Sequence, residues 1–325
     1  VKRLLSVLAL CAALLLAMGP VRAQSTIPEP SRNPGTSADM WRDVRQGIRG
    51  YVSIPDKQAG VLVQSEGELW RNWRNGRVST WGSWLLLGVV VVLAIFFALR
   101  GRIRVESGLS GRTIERFNAL ERGIHWLTAT SFILLALTGL VVLYGRYVLL
   151  PVLGPSAFAG LAQFSKFVHN YIGIAFIVGI VLTFIVWVRW NLPDRCDLEW
   201  LKQGGGLFKK HTHPPSRKFN AGQKLLFWSV VVFGAALSVT GVMLLFPLYW
   251  ADLQQMQTAQ LVHAALALFM IAVIIAHIYI GTIGMEGAFD AMGTGRVDIN
   301  WAIEHHDLWV EEMRQRRAAQ QQPAE

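Results

Sequence analysis

The stretch WGSWLLLGVVVVLAIFFAL, Trp81–Leu99, runs 19 residues without a charged side chain. About 20 such residues of α-helix cross the hydrocarbon of a bilayer, where every backbone N–H and C=O must be satisfied within the segment. Four more apolar stretches follow: from near His125 to Tyr144, Phe167–Val188, about Leu225–Leu245, and about Gln257–Met285. Only 16% of residues are charged and the mean hydropathy is +0.37, against about 25% charged in a soluble domain. The expected fold is an all-α integral membrane protein, a four-helix transmembrane bundle within 101–290 preceded by one extra N-terminal transmembrane helix at 81–100.

The flanks set the expected orientation. Residues 1–23 have Lys2 and Arg3, an apolar core and small residues ending at Ala23, a signal-peptide pattern with cleavage after Ala23; a retained anchor helix is the alternative. Residues 24–80 are polar, with Pro28, Pro30 and Pro34, and read as a short periplasmic extension too small for a core of its own. Its Trp41, Trp70 and Trp73 suit packing or interfacial anchoring. Residues 100–122 carry six Arg and 189–224 carry eight Lys or Arg, whereas 147–164 and 246–262 carry none. The excess of basic residues marks cytoplasmic loops, so the N-terminal extension is expected in the periplasm and the C-terminal tail, 291–325, in the cytoplasm of a bacterial inner membrane. The net charge of +10 thus reads as topology signals beside anionic lipid rather than a nucleic-acid surface. Two cysteines, Cys11 and Cys196, offer neither a disulfide framework nor an iron–sulfur cluster.

Four of the eight histidines lie in or at the spans: His125, His169, His263 and His277. A single one could be a core histidine donating to a carbonyl, but ionisable groups in membrane helices are expensive and usually functional. His263 and His277 are 14 residues apart, about 21 Å of helix and within roughly 40° of one face. Chain direction puts His169 and His263 near the periplasmic side, and His125 and His277 near the cytoplasmic side. Two imidazole pairs at two depths point to b-type haem, whose porphyrin supplies the other four donors; zinc would require a fuller protein ligand set. Filled axial positions suit electron transfer. Gly139, 14 residues after His125, falls at the upper level, where a porphyrin edge needs a missing side chain; a small-residue helix contact is the plain reading.

The segments RTIERFNALERGIHW, KFVHNYIGIAF, FNAGQKLLFW, HAALALFMIAVIIAHIYIGTIGMEGAFDAMGTGRVD and INWAIEHHDLWVEEM resemble the cytochrome b (gamma) subunit of membrane-bound respiratory formate dehydrogenases, over about residues 105–315. The resemblance implies two haems b, one held by His169 and His263 on the periplasmic side and one by His125 and His277 on the cytoplasmic side. It also implies a menaquinone or ubiquinone site beside the cytoplasmic haem, at His277, Asn220 and Gly222; helix N-capping is the alternative role for Asn220. The implied partners are an iron–sulfur beta subunit and a molybdenum- or tungsten-containing catalytic alpha subunit, so this chain would not itself oxidise formate. A cytochrome b anchor of a nickel–iron hydrogenase, or of another periplasmic oxidoreductase, has similar chemistry. A haem-free anchor or transporter gives no reason for two matched depths.

His211, His213, His305 and His306 lie in polar segments and are expected to be solvated. KQGGGLFKK lacks the GK[ST] ending of a phosphate loop. Arg122, Arg146, Lys166, Arg189 and Lys224 fall at levels where they could pair with haem propionates, or simply snorkel from helix ends.

Overall fold

The computed structural model describes residues 67–208 and 211–321 of the chain; the signal-peptide segment and residues 24–66 of the extension lie outside the described residues. Helix α1 (Gly67–Asn72) runs through a π-helical turn (Trp73–Val78) into α2 (Ser79–Arg100). Helices α3 (Ala119–Val148) and α4 (Leu150–Trp187) form one hairpin, and α6 (Ala221–Leu245) and α7 (Leu253–Tyr279) another. Between the hairpins lies the short α5 (Arg195–Lys202), and after them come α8 (Asp290–Gly293), α9 (Ile299–His305) and α10 (Asp307–Gln321). Among the described residues, five helices are long and apolar enough to cross a membrane, and the chain is a multi-pass membrane protein.

Their ends follow from local chemistry. Asn118, Asp194, Asn220 and Asp252 each accept a backbone N–H in the first turn, and the side chain three residues on returns a bond to the cap's own N–H. These reciprocal capping boxes satisfy amides that a helix start leaves orphaned. All five spans begin earlier than hydropathy suggests, the first and third by more than ten residues. The first continues back to Gly67, aided by an Arg71–Glu68 ion pair of 2.8 Å. The third reaches back to Leu150, broken at Gly154 (φ 75°), after which Pro155 restarts the helix, a first-turn position where its missing N–H loses nothing.

Large apolar side chains such as Val92, Ile95, Leu137, Ile174 and Val239 point outward, as lipid-facing positions should. Small residues allow the close approaches inside. A Cβ on Gly179 would lie 2.6 Å from Thr128 Oγ1, where α4 crosses α3, and one on Gly82 would lie 2.3 Å from Leu268 Cδ1, where α2 crosses α7. Tyr144 donates a hydrogen bond of 2.8 Å to the Ser79 carbonyl, tying α3 to the start of α2.

Three polar or basic stretches among the described residues, 101–118, 188–220 without 209–210, and 285–321, gather at one end of the bundle. Strand β1 (Thr113–Glu115) pairs antiparallel with β2 (Arg296–Asp298), in the register Thr113 to Asp298. Ile103 and Met285 form a further bridge. The result is a cap with its own core of Val105, Phe117, Trp187, Val297, Trp301 and Trp309. This corrects the expectation of a solvated tail: His306 is 1% exposed, donates from Nδ1 to the Arg217 carbonyl at 2.7 Å, and packs at a tilt against Trp301. His211, exposed as expected, and His213 both bond Glu106, at 2.8 and 3.1 Å.

Candidate functional site

The four span histidines come together in the two expected pairs. His169 on α4 and His263 on α7 have ring centroids 6.2 Å apart, and His125 on α3 and His277 on α7 have centroids 6.3 Å apart. A metal–imidazole bond is about 2.0 Å, and a ring centre lies roughly 1.2 Å behind its nitrogen. Two imidazoles facing each other across one ion would therefore have centroids about 6.4 Å apart, close to the spacing at both levels. Among the described residues no group of three or more His, Cys, Asp or Glu could hold a metal by itself. Two nitrogens per level fit a metal whose remaining donors come from a macrocycle.

The surroundings differ between levels. Thr138 Oγ1 lies 3.0 Å from His169 Nδ1, and Thr240 Oγ1 lies 2.9 Å from His263 Nδ1. Each threonine is followed by a glycine that leaves space against the same ring. A Cβ on Gly139 would lie 3.3 Å from His169 Cε1, and one on Gly241 would lie 3.4 Å from His263 Cε1. Gly139 thus sits at the level expected of it. Thr138, Thr240 and Gly241 were not anticipated, although the repeated Thr-Gly in LTGL and VTGV was a visible signal. At the lower level His125 Nδ1 is buried with no hydrogen-bond partner among the described residues. A cavity of about 560 Å³ between α6 and α7 is lined by Thr240, Met243, Trp250, Thr258, Ala259 and Val262, so it borders the upper pair.

Asn220 caps α6: its Oδ1 accepts from Gln223 N at 2.9 Å. Gly222 lets Trp200 lie on that first turn, since a Cβ there would be 2.8 Å from Trp200 Cη2. Of the basic residues considered for propionates, Lys224 pairs with Asp197 at 2.8 Å. Arg122 donates from Nη1 to the Thr294 carbonyl at 2.9 Å, while its Nε is buried with no partner among the described residues. Trp126, beside His125, donates to the Met292 carbonyl at 3.0 Å and so ties the lower pair to the cap.

Paired imidazoles within an apolar helical bundle fit a membrane protein of the haem-binding class. The chain belongs to the prokaryotic cytochrome b561 family, which its residues 116–295 match, and that family implies haem b. It is 31% identical over 212 residues to the cytochrome b556(Fdn) subunit of the nitrate-inducible formate dehydrogenase of Escherichia coli K12, covering 64% of this chain and 94% of the relative. It is 31% identical over 205 residues to the formate dehydrogenase cytochrome b556(fdo) subunit of the same organism, covering 62% and 94%. The formate dehydrogenase cytochrome b556 subunit of Haemophilus influenzae is 27% identical over 204 residues, covering 61% and 83%.

Proposed function

We propose that this chain is the diheme b-type cytochrome subunit of a formate dehydrogenase, with its basic cap in the cytoplasm. The observation that carries the reading is the 6.2 and 6.3 Å spacing of two histidine pairs, in relatives' company that is uniformly formate dehydrogenase cytochrome b556. Two haems b, held by His169 with His263 and by His125 with His277, would supply one-electron transfer from a periplasmic iron–sulfur subunit toward quinone on the cytoplasmic side. Formate itself would be oxidised in a molybdenum or tungsten catalytic subunit.

The chain's residues divide this work. The apolar helices keep water from both imidazole pairs, and the glycines opposite the upper rings leave room for a flat group. Asn220, Gly222 and His277 form the proposed menaquinone or ubiquinone site. Asn220 commits its carbonyl oxygen to the α6 cap, which leaves its Nδ2 as the donor for a quinone oxygen, and the cap end of the bundle would give access to aqueous protons. Inward electron movement works against a membrane potential at about 2.3 kcal/mol per charge per 100 mV.

A dithionite-reduced minus air-oxidised spectrum, with haem quantified per chain, tests this on wild type, His263→Ala and His277→Ala. Two b-type haems in wild type are expected, with each variant losing a different one. No haem, or two haems in both variants, would sink the reading.

A further inference from the structure

Each upper imidazole is held by a threonine on the helix before it in its hairpin. Thr138 Oγ1 is 2.7 Å from the Leu134 carbonyl oxygen as well as 3.0 Å from His169 Nδ1. Thr240 Oγ1 is 2.8 Å from the Ala236 carbonyl oxygen as well as 2.9 Å from His263 Nδ1. A hydroxyl has one proton, and a carbonyl oxygen can only accept it. With that proton given to the helix carbonyl, the hydroxyl meets the ring as an acceptor, and Nδ1–H donates to it. The tautomer is therefore fixed with Nε2 unprotonated, the state a metal ligand requires. A bond from Nδ1–H to an acceptor also makes Nε2 more basic, and a hydroxyl already polarised by its own donated bond is a better acceptor.

The lower level lacks this arrangement at His125, whose Nδ1 is enclosed without a partner among the described residues. We propose that Thr138 and Thr240 are positioning residues that set the reduction potential of the upper haem below that of the lower one. More basic axial nitrogens favour the ferric over the ferrous state, so two accepted Nδ1–H bonds lower the upper potential. His125, with no such bond at Nδ1 among the described residues, leaves the lower potential higher. The hydroxyls thereby give electron transfer across the bundle a downhill direction. The proposal rests on the ligand assignment above, and its test separates the two.

The full chain in its native membranes is titrated potentiometrically, with the two low-spin ferric signals followed by electron paramagnetic resonance. The upper signal is the one lost in His263→Ala. Thr138→Val and Thr240→Val each shift the upper potential positive, the double variant shifts it further, and the lower potential stays in place; Thr138→Ser and Thr240→Ser restore the wild-type value. An unmoved upper potential, or equal shifts at both haems, overturns the proposal while leaving the ligand assignment intact. A haem-free wild type overturns both. Should the valine variants shed the upper haem, redox-difference infrared spectra of wild type with isotopically labelled histidine decide the matter. Distinct hydrogen-bonded and unbonded Nδ1–H populations support the proposal, and four equivalent imidazoles overturn it.

Discussion

Lowering the pH from 7 to 5 forces protons onto imidazoles that the cap buries in neutral form. Burial pushes the His306 pKa well below the ordinary 6.5, with the Arg116 guanidinium adding to the effect. Burial likewise holds His305 at about 4, where Glu304 and Glu106 pull it upward and His213 and Arg116 push it down. His305 is only partly covered as a residue, but its Nε2 is enclosed and has no partner among the described residues, which is why charging it is unfavourable. A folded-state pKa below the unfolded value contributes stability that is present above 6.5 and lost as pH falls toward 4. For His305 the difference between 6.5 and about 4 amounts to about 3 kcal/mol at full protonation and about 2 kcal/mol by pH 5. His306 acts in the same direction.

The assay is hydrogen exchange of the full chain in nanodiscs at pH 7, 6 and 5, corrected for intrinsic exchange. Peptides covering 296–313 should lose protection by roughly thirtyfold on reaching pH 5, while peptides within α7 hold theirs. His305→Phe should remove a large part of that loss, because the substituted ring has nothing to protonate. Cap protection that is flat from pH 7 to 5 would refute the reasoning, as would a His305→Phe cap that loosens by the wild-type factor.

Lys224→Met leaves Asp197 charged and largely buried on α5, and should destabilise that contact by about 3–5 kcal/mol; adding Asp197→Leu should recover most of the loss in thermal denaturation, and an unaltered single variant would contradict the pairing. Gly179→Leu must push Thr128 aside, since even a Cβ lies 3.1 Å from its Cα, and overpacking of this kind costs about 1–3 kcal/mol. The denaturation midpoint in detergent should fall, with Gly88→Leu, which meets nothing within 4 Å, as the unaffected comparison. Gly139→Val crowds His169 Cε1 and should diminish the upper haem band alone; equal loss of both bands would show a general folding defect instead.

The spans and the histidine levels were legible in the sequence because each depends on one helix at a time. Lipid selects apolar runs by length, and the α-helical rise converts a 14-residue spacing into a depth. The caps were legible for the same reason: Asn220 and Gln223 stand three residues apart. What escaped is what depends on distant partners. The Thr113–Asp298 pairing joins a residue before the first hairpin to one after the second, and it belongs to the cap in which His306 of EHH is buried. The Thr138–His169 contact likewise crosses between helices. Its signal was present as a repeated Thr-Gly, but a threonine in a membrane helix bonds its own i−4 carbonyl so readily that the second, interhelical bond leaves no separate mark.

The two histidine levels are separated by a layer whose composition follows the same arithmetic. Phe132 lies seven residues after His125, Phe176 seven after His169, and Met270 seven from both His263 and His277, each about 10 Å from its histidine along the helix. These three side chains are buried in one cluster with Ile180, Leu237 and Ile271. Met270 is 1% exposed, and the Phe132 and Phe176 ring centroids are 6.0 Å apart. An apolar layer packed this closely offers water few polar partners, which disfavours a file of water through it. Electrons need no such path, since they cross a packed layer without a chain of hydrogen bonds. In the proposed function the bundle would thereby separate the two kinds of charge: imidazoles at two levels, and between them an apolar layer placed half a histidine spacing from each.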